Sequence, residues 1–115
     1  MTTDLIDLTT FAELQDSAGA EFVAELVGTF LEEGPQMLLE LRQARAAAED
    51  ERFRRAAHSL KSNCNTFGAL NLGFMARELE LRGLADDPAL DATALDSLNA
   101  AYAQAAAALR GLTHG

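Results

Sequence analysis

The chain has no tryptophan, two prolines and a single cysteine in 115 residues. One thiol, Cys64, excludes an internal disulfide framework and a multi-thiolate zinc site. It fits a reducing compartment. Positive charge is also scarce: nine Lys and Arg stand against 18 Asp and Glu, a formal charge of −9. Nucleic acids and anionic membranes are bound mainly through clustered Lys and Arg, so this balance argues against both. No apolar run approaches the roughly 20 residues needed to span a bilayer. The start, Met1-Thr2-Thr3-Asp4, lacks the basic and apolar regions of a signal peptide. Neither GxxxxGK(S/T) nor GxGxxG occurs, so no glycine-rich loop is available to hold ATP phosphates. What remains is a cytoplasmic, acidic chain of one domain, long enough to bury a core without a disulfide or a metal. The Met1 start and the self-sufficient core favour a freestanding protein.

Alanine is abundant and β-branched runs are missing, which favours helix throughout. A short first helix opens at Thr9-Thr10, carries Phe11, Leu14 and Gln15, and ends at Gly19. A long second segment runs from about Ala20 to Ala48. Its seam is Val27, Phe30, Gly34, Met37, Leu41, Ala44 and Ala48, at alternating steps of three and four. Pro35 sits inside that seam, and a kink or break is expected there. A third helix begins near Glu49-Asp50, acids at its positive end. Its stripe is Phe53, Ala57, Leu60, Cys64 and Phe67, and Gly68 ends or bends it. A fourth carries Leu72, Met75, Ala76 and Leu79 and stops near Gly83. Residues 85–88 read as a turn-rich connection. The last helix runs from Asp91 or Thr93 to Arg110, with Leu95, Leu98, Tyr102, Ala105, Leu109 and Leu112 on one stripe. Gly111 closes it, and Thr113-His114-Gly115 should fray. Short connections between such helices predict an all-α fold: an antiparallel up-and-down four-helix bundle over residues 1–115, with the short N-terminal helix lying across it. The apolar stripes, Cys64 included, are accounted for by the core.

The third helix carries the unusual surface. With His58 set at zero on a wheel of about 100° per residue, Asn65, Arg54, Ser62, Arg55 and Lys61 all fall within about 60° of it. The core stripe centres roughly 145° away. His58 therefore points toward solvent or a partner. Arg52, Arg54, Arg55 and Lys61 gather basic charge around it in an otherwise acidic protein. Near neutral pH an imidazole is largely uncharged, and one ring nitrogen is then a nucleophile. Lys61, one turn along the same face, could neutralise negative charge on a group carried by the ring. The small Ser62 allows close approach by another protein. The motif holds no adjacent acid, which leaves a protease-type relay unsupported, and a lone histidine makes no closed metal site. On helix geometry alone, a merely solvated histidine is the commoner outcome.

The string Ala56-Ala57-His58-Ser59-Leu60-Lys61-Ser62-Asn63-Cys64-Asn65-Thr66-Phe67-Gly68-Ala69 reverses that weighting. It resembles the motif of histidine-containing phosphotransfer (HPt) domains, matching at His58, Leu60, Lys61, Phe67, Gly68 and Ala69. The resemblance continues through Leu72 and the Leu79-Glu80 pair. Upstream, Phe30-Leu31-Glu32-Glu33-Gly34-Pro35 is similar to the family's stretch in its long helix. Ser62 replaces a frequent glycine, and Asn63 and Cys64 stand where Ser or Ala is common. None of these departures removes the nucleophile.

The resemblance implies a phosphorelay carrier. His58 would accept a phosphoryl group from the aspartyl phosphate of a hybrid kinase's receiver domain and pass it to the receiver of a response regulator. Lys61 would stabilise phosphoryl charge. Leu60, Phe67, Gly68 and Ala69 would be structural, with Gly68 allowing the tight turn into the fourth helix. Docking would surround His58, with Arg54, Arg55, Ser62 and Asn65 as candidates. Mg2+ would come with the receiver, and this chain would bind no metal, carry no ATP site and have no autokinase activity. A monomer is expected. Two other readings remain: an HPt-like module that sequesters a response regulator without accepting phosphate, and the dimerising, phosphoaccepting part of a histidine kinase.

Overall fold

The computed structural model describes residues 5–114, and of His114 only the backbone. Met1-Thr2-Thr3-Asp4, on which the signal-peptide expectation bears, and Gly115 lie outside the described residues, whereas Thr113 and His114, expected to fray, are helical. Among the described residues five helices occur and no strand: α1 (Leu8–Ala18), α2 (Ala20–Ala46), α3 (Asp50–Phe67), α4 (Leu70–Arg82) and α5 (Pro88–His114). Their side-chain pairs give the topology. Along α2 and α3, Phe30 meets Phe67 while Glu40 meets Arg52. Along α2 and α5, Tyr102 reaches Phe30, Asp96 reaches Arg42 and Asp91 reaches Arg45. In each pair one number rises as the other falls, so neighbours run antiparallel. The helices α2, α3, α4 and α5 close a ring, and α1 packs on α2 and α3 only. This is the expected four-helix bundle with a short helix laid across it.

The core holds Phe30, Leu41, Phe53, Leu60, Leu98 and Leu109, all essentially without exposure, as the stripes predict. Some stripe positions differ. Met37 and Met75 are half-buried, with Leu38 filling the core beside Met37, and Ala48 and Leu112 are exposed.

The ends of the helices explain most of the differences from the sequence reading. Helix α2 stops at Ala46, two residues early, because Ala48 adopts a left-handed backbone (φ 56). That turn lets the Glu49 amide donate to the Ala44 carbonyl at 3.0 Å and closes the helix without a glycine. Pro35 does not break α2, which is continuous through it. Proline has no N–H for the Leu31 carbonyl. The Tyr102 hydroxyl stands in, 3.4 Å from that oxygen and 3.3 Å from the Phe30 carbonyl. Gly34 makes room, since a Cβ there would overlap the tyrosine ring.

Helix α5 starts at Pro88, three residues before the earlier expected position. Proline suits a first helical position, and Asp87 accepts the Ala89 amide at 3.0 Å through its side chain. The same helix runs on through Gly111, which sits in open space, to His114. Asp91 is therefore inside the first turn. It is fully buried, its carboxylate accepting from Arg45 (3.1 Å), Arg82 (2.9 Å) and the Ala85 amide (3.0 Å).

Candidate functional site

The α3–α4 junction sets the geometry of the His58 face. Gly68 ends α3 in the left-handed region (φ 85), and the Ala69 amide returns to the Cys64 carbonyl at 2.8 Å. A side chain at 68 would also collide with the Asp7 backbone, whose amide donates to the Gly68 carbonyl at 2.7 Å. Leu60, Phe67 and Ala69 are buried on the core side of this hairpin. The tight turn lays α4 antiparallel along α3. Close approach is kept by Gly73, where a Cβ would overlap the Asn65 side chain.

That pairing brings Glu80, in the last turn of α4, beside His58. The His58 side chain is 59% exposed, and its Nδ1 lies 2.9 Å from Glu80 Oε2. The other carboxylate oxygen lies 2.8 Å from Lys61 Nζ. The hydrogen bond from Lys61 holds the Glu80 carboxyl below its ordinary range, His58 adds to this, and partial desolvation opposes it. An ionised carboxylate accepts only, so it selects the tautomer with the proton on Nδ1. Nε2 then carries the lone pair, and among the described residues it has no hydrogen-bond partner.

An acid does therefore face the imidazole, although the motif itself holds none. It comes from 22 positions further on, through the helix pairing. The signal was present in the sequence as the Leu79-Glu80 pair, but nothing local assigns that carboxylate to His58.

The basic patch is also less positive than its sequence implies. Arg52 is bound to Glu40 and Glu49, and Lys61 to Glu80. Arg54 pairs with Asp50 at 2.7 Å and sends its remaining hydrogen bonds to backbone carbonyls of α4. Among the described residues, Arg55 alone of the four cations makes no ion pair. Arg54 and Arg55 line a shallow cleft with His58, Ser59 and Glu80. Ser62 and Asn65 are exposed on the same helix. A second cleft, between α2 and α3, is lined by Glu33, Gln36, Met37, Glu40, Ala56 and Ser59. An apolar groove between α4 and α5, including Phe74, Met75 and Leu98, contains none of the predicted site residues. Cys64 is buried, and burial pushes its thiol up to about 12.

The helical bundle thus displays one imidazole on an outer face, with Nδ1 bonded to Glu80 and Nε2 without a hydrogen-bond partner among the described residues. The family model of the Hpt domain matches residues 25–108, most of the chain, and the protein belongs to that family. It thereby has a phosphotransfer role in two-component systems. No curated protein and no solved structure matches the chain.

Proposed function

We propose that the chain is a phosphorelay intermediate that carries the phosphoryl group on Nε2 of His58. The observation that carries this reading is the exposed ring whose Nδ1 is bonded to Glu80, leaving Nε2 open on the bundle surface. The Nε2 lone pair attacks the phosphorus of a receiver's aspartyl phosphate in line with the leaving carboxylate oxygen. The N–P bond forms as the P–O bond breaks, and the aspartate departs with its electron pair. The Nδ1 proton stays on the ring, and the positive charge that develops there faces the Glu80 carboxylate. Such a transfer asks for positioning and charge neutralisation more than covalent assistance. Lys61 supplies a cation one turn from His58 and would turn from Glu80 toward the phosphoryl oxygens. Reversal of the same step onto a second receiver completes the relay.

Mg2+ belongs to the receiver in this reading. The carboxylate beside His58 already has both oxygens engaged, by His58 and Lys61, and suits ring orientation better than metal binding. Arg55, Ser62 and Asn65 are exposed on the helix that carries His58 and would contact the partner, here the receivers of a hybrid histidine kinase and of a response regulator. The protein would work as a cytoplasmic monomer. No helix among the described residues is long and apolar enough to cross a membrane, which is compatible with that placement.

The test is incubation of wild type and His58→Gln with a panel of phosphorylated receivers. Acid-labile, base-stable phosphate on the wild type and none on the variant is the expected result. Tight receiver binding with no phosphate movement would replace this reading with the sequestering module.

A further inference from the structure

We infer that Arg54 is a positioning residue for His58 that acts through Glu80, by serving as the C-terminal cap of α4. The inference rests on the reading of His58 as the phosphoryl carrier.

The last four carbonyls of a helix have no intrahelical partner. In α4 the first of them, on Leu79, accepts from the Gly83 amide at 2.8 Å. The other three, on Glu80, Leu81 and Arg82, all accept from Arg54, at 2.9, 3.0 and 3.2 Å. One guanidinium on a neighbouring helix thus completes the cap, and it places positive charge at the negative end of the α4 dipole.

Arg54 is itself held in place. Its Nε donates to Asp50 at 2.7 Å, and the other Asp50 oxygen accepts the Leu84 amide at 2.8 Å. The Leu84 amide and the Arg54 hydrogen bond both keep the Asp50 carboxyl below its ordinary range. Gly83 has φ 70, and a Cβ there would strike both Arg54 and Asp50. The arrangement needs a residue without a side chain at that position.

The capped turn is the one that carries Glu80, and Glu80 fixes the imidazole. A terminal helical turn frays unless its end is satisfied. Arg54 lies one turn before His58 on α3, so the same helix presents the nucleophile and clamps the backbone of the residue that orients it. A docking role does not require three inward hydrogen bonds to α4. A lysine could keep the charge but not the three-carbonyl fork.

The test uses the full chain as wild type, Arg54→Ala, Arg54→Lys, Glu80→Ala and the Arg54→Ala/Glu80→Ala double variant. Nitrogen-15 NMR of the imidazole, with His58→Gln identifying its signals, reads the tautomer. Labelling by phosphoramidate reads nucleophilicity without any receiver. Arg54→Ala should lose the dominant Nδ1–H form and label about tenfold more slowly, the low end of the about 10–100-fold lost when the partner that orients a metal-ligating histidine is removed. Arg54→Lys should lie between it and wild type. In the Glu80→Ala background, Arg54→Ala should slow labelling no further, although it still lowers stability.

A wild-type tautomer in Arg54→Ala would overturn the inference. So would a labelling loss that adds fully to that of Glu80→Ala. If Arg54→Ala does not fold, the tautomer of Arg54→Lys decides in the same way. The tautomer is measured without phosphate, so an unlabelled wild type would count against the carrier reading while Arg54 is still judged on its own signal.

Discussion

Replacing Asp91 by alanine tests the reasoning about the fold most sharply, because the site is fully buried and its partners are all known. The carboxylate ties the end of α2 through Arg45, the end of α4 through Arg82, and the connection between α4 and α5 through the Ala85 amide. Arg45 also donates to the Ala85 carbonyl at 3.0 Å, so its loss of aim would loosen the same connection. Hydrogen bonds to charged groups are each worth about 1.5–3 kcal/mol, and breaking a buried pair from one side costs about 3–5 kcal/mol. Rehydration limits the damage here, since the Arg45 and Arg82 side chains are 21% and 40% exposed. Asp91→Ala should therefore lower stability by about 3 kcal/mol, measured by urea unfolding at pH 7. For a chain of this size that corresponds to a fall in Tm of about 10 °C. Asp96→Ala is the internal comparison. Asp96 also meets an arginine, Arg42, at 2.8 Å, but its side chain is 75% exposed. That exposed pair should contribute less than about 1 kcal/mol. Equal effects from the two variants, or a loss below about 1 kcal/mol for Asp91→Ala, would refute the argument that burial and shared partners make the difference.

Three further expectations follow from local geometry. Ala48→Gly should stabilise the protein by about 0.5–1 kcal/mol in the same urea assay, because an L-residue in the left-handed region is strained and glycine is not. Cys64, buried with its thiol pushed up to about 12, should resist a disulfide reagent at pH 8 in the native state and react only on unfolding. Acidification should destabilise the bundle through Glu40, Asp50 and Glu80, whose carboxyls all lie below their ordinary values when folded. A depressed folded value means that the stabilisation is fully present above the unfolded value, about 4, and is lost as pH falls through the folded one. Urea midpoints measured from pH 6 down to pH 2 should stay level until about pH 4 and then decline, by less when Glu80 is already replaced by Gln.

The parts of this molecule legible in the sequence are those carried by local periodicity. The wheel put His58 opposite the core stripe, and the side chain is exposed while Leu60 and Cys64 are buried. Gly68 advertised the α3–α4 turn because glycine readily adopts the conformation found there. What escaped depends on partners distant in sequence. Pro35 reads as a breaker until Tyr102 reaches the carbonyl it leaves free. Asp91 reads as a helix-start residue, and only the meeting of three segments makes it a buried anchor. Ala48 gave no sign of a left-handed turn, since the usual glycine is missing. At the site, the wheel places Arg54 on the face of His58, and the two line one cleft. The reach of its long side chain across to α4 is not a property of the wheel.

The short α3–α4 turn has a consequence for how the molecule is assembled. His58, Lys61, Glu80, Arg54, Asp50 and Gly83 all fall between residues 50 and 84, within one helical hairpin. Bringing them together closes only a small loop of chain, so little entropy opposes it, and contacts so near in sequence are the kind that form early in folding. The long helices α2 and α5 add the core that holds this hairpin in place, yet supply none of these six residues. The candidate site is thus written in a stretch of the chain apart from the two long helices. Away from Asp91, which holds the end of α4 through Arg82, sequence change in α5 can tune the durability of the bundle with little direct bearing on the nitrogen proposed to react.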